Sequence, residues 1–374
     1  MAAVALGARL LLGLVVAAYL AATDRPWLFP DEGTYMAEAA SGRWKEGHGY
    51  SAFLARVFDV AGQSAWLPKG INIVAGALVA VVVYEIASRL IEPARARVAG
   101  LAVACWPSLV LWSVLVLKDT LVLLAVLVVL LAALRVAEGE WAAIGVGVLA
   151  LAALEPLRLY AFVVAALAVA APLVVRLVSG QLRRALPLAL FFLAVSGLLV
   201  VTGHGLFGTG FLSDNATVEQ VAIAREEGSR GDTGFAEPDV RDKRDVIKGL
   251  PRGATYAMVG PFPWDPLPPA GRLLVVVELP AWVAAIVLAA RGARRTGLRA
   301  LLRSWSALVA FALGILAVLS VFEGNAGTAL RQRALVIPVV LCLAVLGPGR
   351  EMTYSGSSAR LKQIFRIGRH TGPL

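Results

Sequence analysis

Cysteine is scarce, with 2 among 374 residues. Both Cys105 and Cys342 lie inside apolar runs, so neither a disulfide framework nor a metal-ligand spacing can be built from them. Histidine is nearly as scarce, with 3, and His48 and His204 stand alone without ligand spacing, which leaves no zinc motif. No Walker loop and no serine-centred nucleophile elbow is present, and "GLFGTG" from Gly205 lacks the preceding strand of a dinucleotide loop. Charge is also thin: 16% of residues are charged against 59% hydrophobic. A soluble domain of that composition would have nowhere to put its apolar surface, so the fold expected is an all-α polytopic integral membrane protein.

A bilayer core of about 30 Å takes roughly 20 apolar residues of helix. Ten candidate spans follow, near residues 4–22, 68–88, 98–117, 119–135, 141–155, 158–177, 185–202, 272–290, 304–322 and 334–348. Lys118 and Asp119 divide a run too long for one crossing and are expected at a hairpin turn, as are Glu155, Pro156 and Arg158. Residues 1–22 are read as a retained span, because Arg9 interrupts the segment and no basic region precedes it.

The net charge of +10 is gathered in short segments between apolar runs, which encodes topology rather than nucleic-acid binding. Arg89, Arg95 and Arg97, then Arg135, then Arg176, Arg183 and Arg184, then five arginines from Arg291 to Arg303 all fall on alternate connections. By the positive-inside rule these face the cytoplasm, together with both termini. The expected division is one transmembrane domain, residues 1–348, and a basic cytoplasmic tail, 349–374.

Two large exterior segments remain, 23–67 and 203–271. The first should hold an amphipathic surface helix from about Thr34 to Lys45. The second should hold a short helix capped by Ser213 or Asp214 and running toward Glu227, and should end in the rigid, non-helical "GPFPWDPLPP". No soluble domain and no clear internal repeat is visible.

Four polar clusters stand at the outer ends of different spans. Asp31 and Glu32 open the first exterior segment, where paired carboxylates beside hydrocarbon mark either a site or a helix start. Lys118 with Asp119, and Arg158 after Glu155, fit a structural ion pair as well as a substrate contact. In "FEGNAGTALRQR", Gly324, Asn325 and Gly327 break the helix, and Arg331 and Arg333 then stand outside against the charge rule. They need an anionic partner, and a phosphate suits guanidinium geometry. Residues two apart on a helix point about 200° apart, so one of the two arginines is expected on the ligand. Tyr35, Trp44, Tyr50 and Trp264 suit sugar stacking and equally an interfacial aromatic belt. His48 lies close enough in sequence to Asp31 to assist there.

With "PDEGTY" directly after the first span, "WPSLVLWSVLVLKD", "PFPW" before a later span and "GNAGTALRQR" before the last, the chain resembles membrane glycosyltransferases of the GT-C superfamily. Within that superfamily it looks like the dolichyl-phosphate-mannose-protein mannosyltransferases of glycosyltransferase family 39. The resemblance implies an inverting transfer of a sugar from a polyprenyl-phosphate donor to an extracytoplasmic glycan, lipid or protein. It implies Asp31 as general base with Glu32 beside it. It also implies the donor phosphate on Arg331 or Arg333, with Lys118 and Arg158 as further cations. Tyr35, His48, Asp119, Trp264 and Asn325 complete the candidate cavity.

Asp31 and Glu32 alone make a poor metal cage, while a divalent metal bridging donor phosphate and carboxylate stays open. Two rival readings also stay open. One is a polysaccharide polymerase or ligase using a lipid diphosphate; the other is a transporter of lipid-linked glycans, which would carry polar residues and broken helices near mid-membrane.

Overall fold

A computed structural model describes residues 1–44, 49–205, 209–210, 217–229, 233–234, 243–322 and 325–346. Those residues are mainly helical, with one isolated bridge, Gly234 to Asn325, and no strand. Seven helices are long and apolar enough to cross a membrane, and nine spans result if each of two bent pairs counts once. The chain is a multi-pass membrane protein. The 349–374 tail, His48, Lys45, Ser213 and Asp214 lie outside the described residues.

Five of the ten candidate spans correspond to single long helices near their expected bounds: α1 (Ala2–Ala22), α4 (Trp66–Leu90), α7 (Asp119–Ala137), α11 (Leu182–Val201) and α15 (Leu298–Phe322). A sixth, α14 (Pro269–Thr296), runs several residues beyond its expected end. The span near 158–177 is α9 (Leu159–Ala168) continued by α10 (Ala170–Val178).

The other three differ. The 98–117 segment is bent by 55° between α5 (Pro93–Cys105) and α6 (Pro107–Ser113), and the last turns into α16 (Ala326–Gln332), a 3₁₀ turn (Arg333–Leu335) and α17 (Ile337–Ala344), bent by 53°. Helix α8 (Ala142–Leu154) has 13 residues, about 20 Å at 1.5 Å per residue. It still joins the two ends of the bundle, because Glu140 before it pairs with Arg89 and Glu155 after it with His204.

The two long segments between spans hold more helix than expected. Helix α2 covers Pro30–Ser41, starting four residues before the expected Thr34, and α3 (Gly49–Ala61) follows it. In the second segment α12 (Val218–Ser229) is followed by α13 (Lys243–Val259), which sequence reading missed. Helix α13 carries an internal proline, Pro251, and a charged first half that read as loop.

Helix α7 sits at the centre, against α4, α8, α9 and α11. Val122, Val126, Val129, Leu130 and Val136 are fully buried, which is why its sequence is apolar on every side rather than on one stripe. At one end of α7, Arg89 pairs with Glu85 at 3.0 Å, with Glu140 at 3.1 Å and with Glu138, while Arg135 reaches Glu85 at 3.4 Å. Asp119 stands at the other end of this 19-residue helix, about 27 Å away along the axis.

The bend before Pro107 leaves backbone groups without helical partners, and inside a membrane these must be met by the protein itself. Arg9 donates to Ala104 O at 3.0 Å, and the Ser108 N–H donates to Glu278 Oε2 at 2.8 Å. The other oxygen of Glu278 accepts from Arg333 Nη2 at 2.8 Å, and Arg333 Nη1 donates to Gly260 O at 2.9 Å. Arg9, Glu278 and Arg333 are 0%, 0% and 1% exposed. These intramembrane charges hold broken backbone together rather than lining a path. Replacing Glu278 by leucine strands a buried guanidinium and should cost roughly 3–5 kcal/mol, with the Glu278→Leu/Arg333→Met double replacement recovering much of it. Thermal melts of the purified protein test this, and equal losses in single and double variants would contradict it.

Candidate active site

The site is assembled by backbone accounting at four element ends. Proline at the first position of α2 loses no helical hydrogen bond, and Glu32 two residues on closes a capping box. Its Oε1 accepts from the N–H groups of Leu28 at 3.1 Å and Phe29 at 3.3 Å, while its Oε2 accepts from Val116 N at 2.9 Å. Glu32 is fully buried. Its two oxygens are therefore spent on backbone, and the structure gives the residue a positioning part rather than a reactive one. Asp31, about 100° round the helix, is left pointing out with its side chain 49% exposed. Gly42, at φ 66° in the left-handed region, then ends the helix after Ser41.

Val114–Lys118 is non-helical, and Val114 to Leu117 are buried. Its exposed carbonyls are met by Asn72, whose Nδ2 donates to Leu115 O at 2.6 Å and Leu117 O at 2.8 Å. With Glu32 on the Val116 amide, this strap is fixed from both sides. It delivers Lys118 and then Asp119, the first residue of α7, where a carboxylate favours the helix dipole. The expected hairpin turn is thus a buried, pinned segment. Arg158 closes the turn before α9, and the start of α3 is seated against that turn. A side chain at Gly49 would collide with the Pro156 carbonyl. Arg331 lies in the last turn of α16.

These ends meet. Arg331 donates from Nη2 and Nε to Asp119 Oδ2, at 2.8 and 3.3 Å, and from Nη1 to Asp31 Oδ2. Arg158 Nη2 donates to Asp119 Oδ1 at 2.8 Å. Arg158 Nη1 is buried with no hydrogen-bond partner. The Lys118 amine stands 5.9 Å from the Tyr35 ring centroid, and Tyr35 packs edge-on to Tyr50 at 5.1 Å. Burial first, and then the neighbouring Arg158, lower the Lys118 ammonium to about 8 against the pull of Asp119. Burial holds the Tyr35 hydroxyl above its usual range, so it stays neutral. Three cations face two carboxylates, a balance that favours one further anion.

Of the sequence candidates, Asp31, Lys118, Asp119, Arg158, Arg331 and Tyr35 come together. Arg333 does not: it is the buried partner of Glu278. Asn325 is the cap of α16, its Oδ1 accepting from Thr328 N at 3.1 Å and Thr233 Oγ1 at 2.6 Å. Trp264 is 77% exposed and stacks on Phe262 rather than on any member of the cluster. Asn72 was missed. Its signal was a lone amide within an apolar run, which in a membrane marks a polar obligation.

The two carboxylates of the cluster are already neutralised by arginine, and among the described residues no group of three ligating side chains could hold a metal ion.

Residues 47–205 match the family described as dolichyl-phosphate-mannose-protein mannosyltransferase. The match supports a GT-C-like membrane glycosyltransferase. No curated protein and no solved structure matches it. The matched stretch is less than half of the chain and carries Lys118, Asp119 and Arg158. Asp31 and Arg331 lie on either side of it and join the same cluster only through the fold. The family uses a polyprenyl-phosphate-linked sugar donor in a membrane setting.

Proposed function

We propose that the enzyme transfers a sugar from a polyprenyl-phosphate donor to an acceptor hydroxyl on the exterior face of the membrane, the acceptor being a glycan, lipid or protein. The observation that carries this reading is the meeting of Asp31, Lys118, Arg158 and Arg331 at the end of the bundle opposite the Arg89 and Arg135 ion pairs. By the charge rule the basic end is cytoplasmic, which puts the cluster and its donor outside.

The reaction is a single inverting displacement. The acceptor oxygen bonds to the anomeric carbon as the bond from that carbon to the phosphate oxygen breaks. Asp31 takes the acceptor proton, and the polyprenyl phosphate leaves with the electron pair. Arg331, Arg158 and Lys118 lie where that leaving phosphate gains charge, which is the stabilisation such a step needs most. Arg158 Nη1, buried without a partner, is a donor in want of such an oxygen.

The transporter reading expects polar residues along a mid-membrane path, but Arg9, Glu278 and Arg333 are engaged with backbone or with each other. Membranes containing the chain, given a panel of radiolabelled polyprenyl-phosphate sugars, should label an exterior acceptor. Transfer from none of them would move the assignment to transport.

Lys118 gives the donor step a pH signature. Its ammonium, charged below about 8, loses its proton as pH rises through that value, and the donor phosphate loses one cation. The kcat/KM for donor should therefore fall above pH 8, since that ratio reports groups of the free enzyme. Lys118→Arg, which stays charged, should remove the alkaline fall. An unchanged fall in Lys118→Arg would assign it elsewhere.

A further inference from the structure

Arg331 donates from all three of its side-chain nitrogens in this structure. Nε and Nη2 go to Asp119, and Nη1 goes to Asp31. A phosphate arriving at this guanidinium competes with the carboxylates already bonded there, and the two carboxylates are not equally held. Asp119 is 3% exposed, is the first residue of the central helix and is bonded a second time by Arg158. Asp31 is 49% exposed, is bonded by Arg331 alone among the described residues and sits on the first turn of a short helix. Asp31 is the one that gives way. The same contact takes Oδ2 and holds the carboxylate against the guanidinium, so that only Oδ1 is open to an acceptor hydroxyl while the pair is intact.

We propose that the donor phosphate displaces Asp31 from Arg331, so that the base is released for the acceptor only after the donor is seated. This deepens the reading above and rests on it. Binding is then ordered, donor before acceptor, and the resting pair keeps the base out of use when no donor is present. After transfer, the polyprenyl phosphate carries more negative charge than the donor did and holds Arg331 more strongly. Asp31, now protonated and facing water, sheds its proton before the product leaves and the pair re-forms.

Two measurements on the full chain in phosphatidylcholine nanodiscs test this, with sugar-free polyprenyl phosphate as the probe. The competing ion pair is absent in Asp31→Asn, which should bind the probe about 10–100-fold tighter than wild type, the range expected for a lost charge-assisted contact. Tightening alone also follows from removing one negative charge, so a second readout separates the causes. In the wild type, carbodiimide labelling of Asp31, read by peptide mass spectrometry, should rise several-fold at saturating probe. Labelling that stays level or falls, or Asp31→Asn binding that is equal or weaker, would overturn the proposal. Lack of probe binding to wild type and variant alike would instead remove the donor-site reading beneath it.

Discussion

Asparagine in place of Asp31 is expected to lower sugar transfer by about 10²–10⁴-fold, the usual worth of a general base, while the protein inserts and melts as the wild type does. The argument is one of shape against chemistry. Asparagine keeps the volume and an oxygen for Arg331, and the position is half exposed on a surface turn, so the fold has little to lose. What it cannot do is take a proton. Asp119, the other carboxylate, cannot substitute, because it is buried between two guanidiniums. Transfer assays on purified protein, with a melting curve beside them, decide the matter. Most of the wild-type rate surviving in well-folded Asp31→Asn would end the base assignment.

Arg331 is the second position of large effect. Its three donating nitrogens bridge Asp31 on α2 and Asp119 on α7, so the residue is both an anion ligand and the joint of the cluster. Arg331→Met should lower kcat/KM for donor by about 10²–10³-fold, the scale found when one preorganised donor to a developing anion is removed. Arg331→Lys keeps the charge but not the planar fork. It should fall between the two, with more of its defect in donor KM than methionine shows per unit of lost rate. Equal losses for lysine and methionine would mean the fork, not the charge, sets donor use. A wild-type donor KM in Arg331→Met would exclude the residue from the donor site altogether.

These two residues show what one-dimensional reading can and cannot reach. That Asp31 and Arg331 were candidates at all came from their setting, a carboxylate and a cation at the outer ends of apolar runs. That they touch, 300 residues apart in the chain, depends on α2 and α16 both packing around the start of α7. Glu32 illustrates the opposite outcome. Beside Asp31 it looked like a second carboxylate for chemistry, but the helix begins at Pro30 rather than Thr34, and that offset of one turn makes Glu32 the capping residue. Arg333 and Asn325 went the same way, one to a buried ion pair and the other to a helix cap.

The helix breaks follow a similar logic. Pro107 announces an interruption in the sequence, since proline removes a backbone donor and crowds the preceding turn. Which groups compensate was not visible. Arg9, Glu278 and Asn72 come from three other helices, and each reaches the broken stretch only because α1, α14 and α4 pack beside it.

By itself, then, the sequence determined an all-helical membrane protein, the approximate place of each apolar crossing and the segregation of basic residues to alternate connections. Span length and charge between spans are local quantities, readable wherever the bilayer is the solvent. Only the tertiary structure decided which carboxylate is exposed, which arginine the two carboxylates share and which lysine is left over. Those outcomes turn on helix rotation, and a shift of one residue, about 100°, exchanges a residue that faces the site for one that serves the backbone.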